Sequence, residues 1–318
     1  MPIQIPGHAV ARFSLSTCIL RQLFATLSTF YNADTLSFPA LALAAALCAA
    51  SQSVTAEPQT GASRVALAAV TTARNQPLVD VSEDDFVIQE GGASREILSV
   101  RPADYPIIVL VDTGDDPRGD FELMRKAVAQ FINRIGQRPV ALGTFGTRPI
   151  MVTTFEDDRQ TVLTKLDGLA AESGAGSLLL QGAALAGETI KSTGALFSAI
   201  VIVSATLEDT SRGTAEEMTA PVVDSGAAVH VIANRPAPAT GGPAARQPLR
   251  ALAEQTHGEF TTIYSAASYQ SALDRLADRM SSEMMIEYLV PVGSKPKDVK
   301  VGTKVIGARV RGLGVAPR

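Results

Sequence analysis

The sequence between residues 106 and 280 alternates short apolar runs with amphipathic helical stretches. In the first helical stretch the apolar residues repeat every three or four positions, with Asp120 as the predicted N-cap and Gly136 as the stop signal. Continuous apolarity is typical of strands buried on both faces of a parallel sheet. Such runs lie at residues 106–111, 140–145, 199–203 and 228–233. Repeated strand–helix units predict an α/β fold, with an open, doubly wound, mostly parallel sheet and helices on both faces.

Two shorter strands and six helices complete the predicted alternation. The strands are expected at residues 150–154 and 260–263. The helices are expected at residues 121–135, 159–169, 178–191, 216–223, 249–256 and 269–280.

Segments of β type flank this alternation on both sides and are separated by turn signals. They lie at residues 65–72, 85–89 and 96–100 before it, and at residues 286–290, 299–306 and 308–310 after it. We expect the two flanks to meet in a small β module beside the α/β domain. The predicted organisation is a leader at 1–56, an N-terminal β module at 57–104, an α/β domain at 105–284, and C-terminal strands at 285–318 that pack with the first module.

The leader is predicted from an apolar run at residues 38–50 that is shorter than the ~20 residues of a membrane span. Small or tolerated residues at 54–56 precede a possible cleavage site, as in a secretory signal peptide, and predict a periplasmic or secreted protein. The run begins far from Met1, so either the leader is unusually long or the true start lies downstream. The alternative is a buried helix rich in Ala and Leu. Both cysteines, Cys18 and Cys48, precede residue 57, so the rest of the chain is free of thiols and disulfides.

Composition narrows the class of partner. Hydrophobic residues make up 46% and charged residues 19% of the 318 positions, as in soluble globular proteins. A formal net charge of -4 provides no electrostatic basis for binding nucleic acid or an anionic membrane surface. The absence of Trp also argues against a sugar-stacking site. We therefore expect a protein partner, no nucleic acid, and no membrane span in the mature chain.

The most informative polar stretch follows the first buried run. Asp112 ends this run and is followed by Thr113, Gly114, Asp115 and Asp116. In open parallel sheets the functional crevice lies at the carboxyl ends of the strands. Carboxylate and hydroxyl oxygens on such a loop suit a hard cation. The alternative is a solvated acidic turn that caps the next helix.

Three loops together carry a family resemblance. The segments VDTGDD at 111–116, GAGS at 174–177 and IVSAT at 202–206 resemble the three metal-site loops of a von Willebrand factor type A domain. More narrowly, VSEDDFVIQEG at 81–91 and the tail with Glu287-Tyr288 and Ala308-Arg309 resemble the bacterial "VWFA-related" family. The resemblance covers roughly residues 64–312.

The resemblance implies a metal-ion-dependent adhesion site, in which ligands come from Asp-x-Ser-x-Ser, a Thr and an Asp. Asp112 matches the first ligand, and Ser177 replaces the Thr conservatively. Gly114 and Asp116 stand where the two serines belong, and Ala205 stands where the third-loop aspartate belongs. We therefore expect a degenerate site without a cofactor. The alternative is a weak Mg²⁺ site that uses Asp112, Asp116 and Ser177.

These observations predict an exported, non-enzymatic protein-interaction module with no catalytic residues. The expected binding surface comprises Asp112, Thr113, Gly114, Asp115, Asp116, Ser177, Ser204 and Thr206. One alternative is weak adhesion that depends on a divalent metal. Another is a hydrolase built from Ser204, His230 and Asp112, although the sequence has no Gly-x-Ser-x-Gly elbow. A hydrolase would require Ser204 and His230 within hydrogen-bond reach, ~2.6 to 3.2 Å.

Overall fold

The computed structural model describes residues 61–78, 80–116, 118–234, 248–295 and 297–317. The described residues belong to one compact unit. The predicted leader, its apolar run at 38–50 and both cysteines lie outside the described residues.

The described residues contain thirteen strands and six α-helices. The strands are β1 (Gly61–Thr72), β2 (Phe86–Glu90), β3 (Ala93–Arg95), β4 (Ile97–Pro102), β5 (Ile107–Val111), β6 (Val140–Phe145), β7 (Pro149–Met151), β8 (Ala199–Ser204), β9 (Ala228–Asn234), β10 (Glu259–Ile263), β11 (Glu283–Pro291), β12 (Val299–Thr303) and β13 (Ala308–Ala316). The helices are α1 (Phe121–Arg134), α2 (Arg159–Asp167), α3 (Leu179–Thr193), α4 (Ala215–Ser225), α5 (Pro248–Gln255) and α6 (Ser268–Ser281). Within the described residues, none of the helices has both the length and the apolar composition to cross a bilayer.

A six-stranded sheet forms the centre of the α/β domain, which runs from β5 to α6. Its strand order is β10-β9-β8-β5-β6-β7, and every neighbouring pair is parallel except β6 and β7. All residues of β5, β6 and β8 are buried, as their continuous apolar sequences predict. The buried residues of α1, α2 and α6 pack on one face, and those of α3, α4 and α5 pack on the other. The predicted doubly wound sheet is confirmed.

The strand order reverses direction between β5 and β8. The chain leaves β5 through α1 on one face and leaves β8 through α4 on the opposite face. The two strands pair in parallel, with Val111 opposite Val203, so their carboxyl ends lie side by side. Residues that follow these strands therefore meet at the switch point, where open α/β sheets bind their ligands.

Two antiparallel sheets are formed by the segments that flank the α/β domain. The four-stranded sheet has the order β13-β1-β11-β4, and the three-stranded sheet has the order β12-β2-β3. They enclose an apolar core that includes Phe86, Ile88 and Tyr288. A buried ion pair between Arg64 of β1 and Glu90 of β2 joins the two sheets. The prediction ended the last strand at residue 310, but the strand continues to Ala316 because β1 offers it a partner over its full length.

A buried polar cluster joins the flanking sheets to the α/β domain. Glu283 opens β11 directly after α6, and Tyr105 precedes β5. Arg138 donates to Glu283 Oε2 at 3.2 Å and to the carbonyl of Met280 at 2.6 Å, and its guanidinium lies 4.2 Å from the centre of the Tyr105 ring. Burial raises the pKa of Glu283, although the positive charge of Arg138 opposes this shift.

Candidate functional site

Asp112 lies at the centre of the switch-point loops and is only 1% exposed. Its Oδ1 accepts hydrogen bonds from the backbone N–H of Gly114 at 2.9 Å and from Ser177 Oγ at 2.8 Å. Its Oδ2 accepts from the backbone N–H of Ala205 at 3.0 Å and from Ser204 Oγ at 2.8 Å, whose single proton is shared with the carbonyl of Thr206 at 2.7 Å. These donors come from all three loops of the resemblance. One carboxylate therefore ties the three loops together.

The electrostatics of this carboxylate follow from burial and its four donors. Burial raises the pKa of Asp112 above its ordinary value, and the hydrogen bonds from Gly114, Ser204, Ser177 and Ala205 oppose the shift. A buried carboxylate is costly unless hydrogen bonds compensate for its lost hydration. Here two N–H groups and two hydroxyls supply that compensation from within the protein.

Gly114 leaves the space through which the Ser177 hydroxyl reaches Asp112. A Cβ atom at position 114 would lie 2.8 Å from Ser177 Oγ and 3.0 Å from Asp112 Oδ1. Both distances are shorter than ordinary contacts with carbon. A serine at this position, as in the adhesion-site motif, would push Ser177 away from Asp112. The glycine therefore suits the hydrogen-bonded arrangement.

Asp116 caps helix α1. Its Oδ1 accepts from the backbone N–H of Asp120 at 2.9 Å, and its Oδ2 accepts from that of Phe121 at 2.8 Å. Asp120 occupies the N-cap position, as predicted, but its side chain makes no capping hydrogen bond. Asp120 has helical backbone angles and forms an ion pair with Arg118 instead. Since both carboxylate oxygens of Asp116 bind the helix terminus, Asp116 satisfies N–H groups that the helix leaves open.

Asp115 is the exposed acidic residue of the first loop. Its Oδ1 accepts from the backbone N–H of Gly174 at 3.0 Å, and its own N–H donates to the carbonyl of Ala175 at 2.9 Å. These bonds hold the first and second loops together from the outside. Thr206, in the third loop, is half-buried and donates its N–H to Ser204 Oγ at 3.2 Å.

Sequence reasoning missed two residues that support the loops. Thr113 Oγ1 donates to Glu172 Oε1 at 3.0 Å, and Glu172 also accepts from the backbone N–H of Thr147. Hydrogen bonding by Thr147 holds the pKa of Glu172 below its ordinary value. The hydroxyl of Tyr269, a buried residue of α6, donates to the carbonyl of Ser204 at 2.7 Å. Neither contact has a local sequence signal, because each joins residues about 60 positions apart.

The predicted binding surface separates into a buried frame and an exposed rim. Five of its eight residues are buried and cannot touch a partner: Asp112, Thr113, Gly114, Ser177 and Ser204. Asp115 is exposed, while Asp116 and Thr206 are half-buried. The rim also includes the exposed residues Glu208, Asp209 and Thr210. Most residues that the sequence analysis named therefore lie beneath the surface of these loops and support it.

The switch-point loops offer fewer side-chain oxygens for a Mg²⁺ ion than the adhesion-site motif does. The oxygens of Asp112 and Asp116 already accept from protein N–H and O–H groups, and Gly114 and Ala205 bring no side-chain oxygen. Mg²⁺ requires several oxygens in near-octahedral geometry. Across the part of the chain that the structure describes, no group of three His, Cys, Asp or Glu residues is placed to hold a metal ion.

The hydrolase arrangement is not brought together. In the pairing of β8 with β9, His230 lies opposite Val201, while Ser204 lies opposite Ala233. Three residues separate the two positions, or about 10 Å along the strands, and the alternation of the strands directs the side chains to opposite faces. Burial lowers the pKa of His230 to about 3, so its imidazole is neutral in the folded protein.

Comparison with known proteins gives matches among solved structures. No protein-family model matches the chain, and no curated protein matches it in sequence. The chain is similar to the conserved hypothetical protein BatB from Bacteroides thetaiotaomicron, with 15% identity over 55% of this chain and 98% of that chain and a TM-score of 0.42. It is similar to a von Willebrand factor type A protein from Catenulispora acidiphila, with 11% identity over 81% and 74% of the two chains and a TM-score of 0.46.

A third match is proximal thread matrix protein 1 from the mussel byssus, whose structure has a zinc-occupied MIDAS motif. The identity is 12% over 63% of this chain and 48% of that chain, and the TM-score is 0.48.

The topology itself identifies the fold. The described six-stranded sheet has five parallel strands and one antiparallel edge strand, with helices on both faces. Its three loops meet at the switch between β5 and β8. The α/β domain therefore has the open, doubly wound architecture that the resemblance to a von Willebrand factor type A domain predicts.

Proposed function

We propose that this protein is a non-enzymatic interaction domain that binds a protein partner at the switch-point rim without a metal ion. The observation that carries the proposal is the Asp112 carboxylate, which accepts hydrogen bonds from donors in all three loops. In this role the four donors offset part of the cost of burying the charge and fix the loops in one arrangement. A preordered surface loses less conformational entropy when it binds.

The rim favours a partner with basic groups. Asp115 and Glu208 are exposed, and Asp209 adds a third carboxylate beside the start of α3. Like charges gathered on one surface attract groups of the opposite sign and speed their encounter. A partner that presents Lys or Arg side chains would pair with these carboxylates, whereas metal-dependent adhesion would require a carboxylate from the partner.

Export is part of the same proposal. The apolar run at 38–50 and the small residues at 54–56 support a secretory leader and hence a periplasmic or secreted domain. N-terminal sequencing of the protein recovered from the periplasm or medium of its source cell tests this. A mature chain that starts near Glu57 agrees with the proposal, and an uncleaved cytoplasmic chain contradicts it.

Photo-crosslinking tests the interaction itself. A photoreactive amino acid is placed at Glu208 on the rim. In the source cell it is compared with the same group at Gln137, which is exposed near the amino ends of the parallel strands, away from the rim. We expect a discrete protein adduct from position 208 alone, unchanged by EDTA. Adducts from both positions, from neither, or from position 208 only with divalent metal would contradict the proposal.

A further inference from the structure

A cleft rich in arginine lies between the C-terminal half of α6 and strands β1 and β13. This basic cleft has a volume of about 450 Å³. Four arginines line it: Arg275, Arg279, Arg309 and Arg311. The cleft lies at the far end of α6 from Tyr269, which contacts the switch-point loops, so the two sites are separate.

Most of the positive charge in the basic cleft is unpaired. Arg275, Arg309 and Arg311 are exposed and have no hydrogen bond or ion pair among the described residues. Arg279 pairs with Glu259 through Nη1, while its buried Nε has no partner there. Asp278, the acidic residue of the lining, is paired with Arg134. In a chain with a formal net charge of -4, this cleft presents the opposite sign to solvent.

One wall of the basic cleft is an edge strand. β13 is the outermost strand of its sheet and pairs with β1 from Ala308 to Ala316. On its other side, no strand in the described part of the chain pairs with it, and β12 of the second flanking sheet approaches it without pairing. The register shifts after Gly312, so the straight part of the edge runs from Ala308 to Gly312. An open edge of this kind offers its N–H and C=O groups to an added strand.

The spacing of the arginines matches the repeat of a strand. Arg309 and Arg311 are two residues apart on β13, so they project on the same face, where they oppose Thr71 and Ala69 of β1. Arg275 and Arg279 are four residues apart on α6, so they are neighbours on the helix surface. A strand added beside β13 would place its alternate side chains next to Arg309 and Arg311.

We propose that the basic cleft binds an extended acidic peptide, which adds to the open edge of β13 and places carboxylates at alternate positions against Arg309 and Arg311. Backbone hydrogen bonds to β13 would supply affinity, and the arginines would select acidic over basic sequences. Without a peptide, the repulsion among the arginines would keep the edge from pairing with another copy of the chain.

Fluorescence anisotropy on the full chain tests this with a labelled peptide of sequence TVDVEVT. The controls are TVKVRVT, which reverses the charge, and TVDVEVT N-methylated at its fourth and fifth residues, which lacks N–H groups on both sides of the strand. We expect saturable binding of the acidic peptide alone, weakened by added salt. The double variant Arg309→Gln/Arg311→Gln should weaken binding about tenfold, as expected for the loss of two exposed charge pairs. The charge-matched variant Arg148→Gln/Lys165→Gln should bind like the wild type.

Several results would overturn the proposal. They are equal binding of the N-methylated peptide, equal binding by the Arg309→Gln/Arg311→Gln variant, tripolyphosphate bound as tightly as TVDVEVT, or no binding of any probe. If the Arg309→Gln/Arg311→Gln variant aggregated but bound the peptide as the wild type does, the two arginines would only protect the edge from pairing with another chain. The Asp112→Ala variant separates this site from the proposed function. It disrupts the switch-point loops, but its folded fraction should bind the acidic peptide as the wild type does.

Discussion

At the scale of single residues, the domain depends on a buried carboxylate that the protein itself satisfies. Replacing Asp112 with Ala leaves the N–H groups of the buried Gly114 and the half-buried Ala205 without their acceptors. We expect Asp112→Ala to lower the free energy of unfolding by about 3 kcal/mol, since each unsatisfied donor costs ~1 to 3 kcal/mol. Urea unfolding in metal-free buffer measures it. Asp115→Ala, which removes an exposed carboxylate from the same loop, should cost about 0.5 kcal/mol or less, and equal losses would argue against the account.

His230 provides a second residue-scale prediction. Its folded-state pKa of about 3 lies below the ordinary value of 6.5 because burial disfavours the charged ring. The stabilisation of the neutral ring is complete above about pH 6.5 and is lost as the pH falls toward 3, since unfolding then takes up a proton. Between about pH 7.5 and about pH 5, the wild type should lose about 2 kcal/mol more than His230→Leu. Parallel pH profiles in urea unfolding would contradict this prediction.

At the scale of elements, the Asp116 carboxylate of the acidic turn caps helix α1. Asp116→Ala removes both acceptors from the first turn of α1 and should cost about 1 kcal/mol. Asp120→Ala removes an ion pair with Arg118 and should cost under about 0.5 kcal/mol. Thermal or urea unfolding of the two variants makes a matched comparison. A larger loss of stability in Asp120→Ala than in Asp116→Ala would show that Asp120 is the cap.

Much of the element pattern was accessible from sequence, and its failures have physical causes. Continuous apolar runs and helical stripes located the strands of the central sheet because burial on both faces leaves few alternatives. β3 was missed because three residues carry no periodic signal. The sequence alone could not decide the role of Asp116, because a carboxylate just before a helix can either bind a cation or cap the helix terminus. Glu172 and Tyr269 reach the site only through the tertiary fold.

At the scale of the whole molecule, the cluster of Arg138, Glu283 and Tyr105 joins the flanking sheets to the α/β domain. Arg138→Met would leave Glu283 buried without its cation and should cost about 3 kcal/mol. Adding Glu283→Gln removes the orphaned charge and should recover at least about 1 kcal/mol. Urea unfolding of the single and double variants checks this. A double variant less stable than Arg138→Met would show that the carboxylate stabilises the junction independently of Arg138.

The metal independence of the switch point is the central claim, and calorimetry tests it most directly. Mg²⁺ and Mn²⁺ are titrated into the chelator-treated full chain, with Asp112→Ala as the control. We predict no saturable heat at millimolar metal, because the oxygens of Asp112 and Asp116 already accept hydrogen bonds from the protein. Saturable binding by the wild type that disappears in Asp112→Ala would contradict the account and establish a metal-dependent adhesion site.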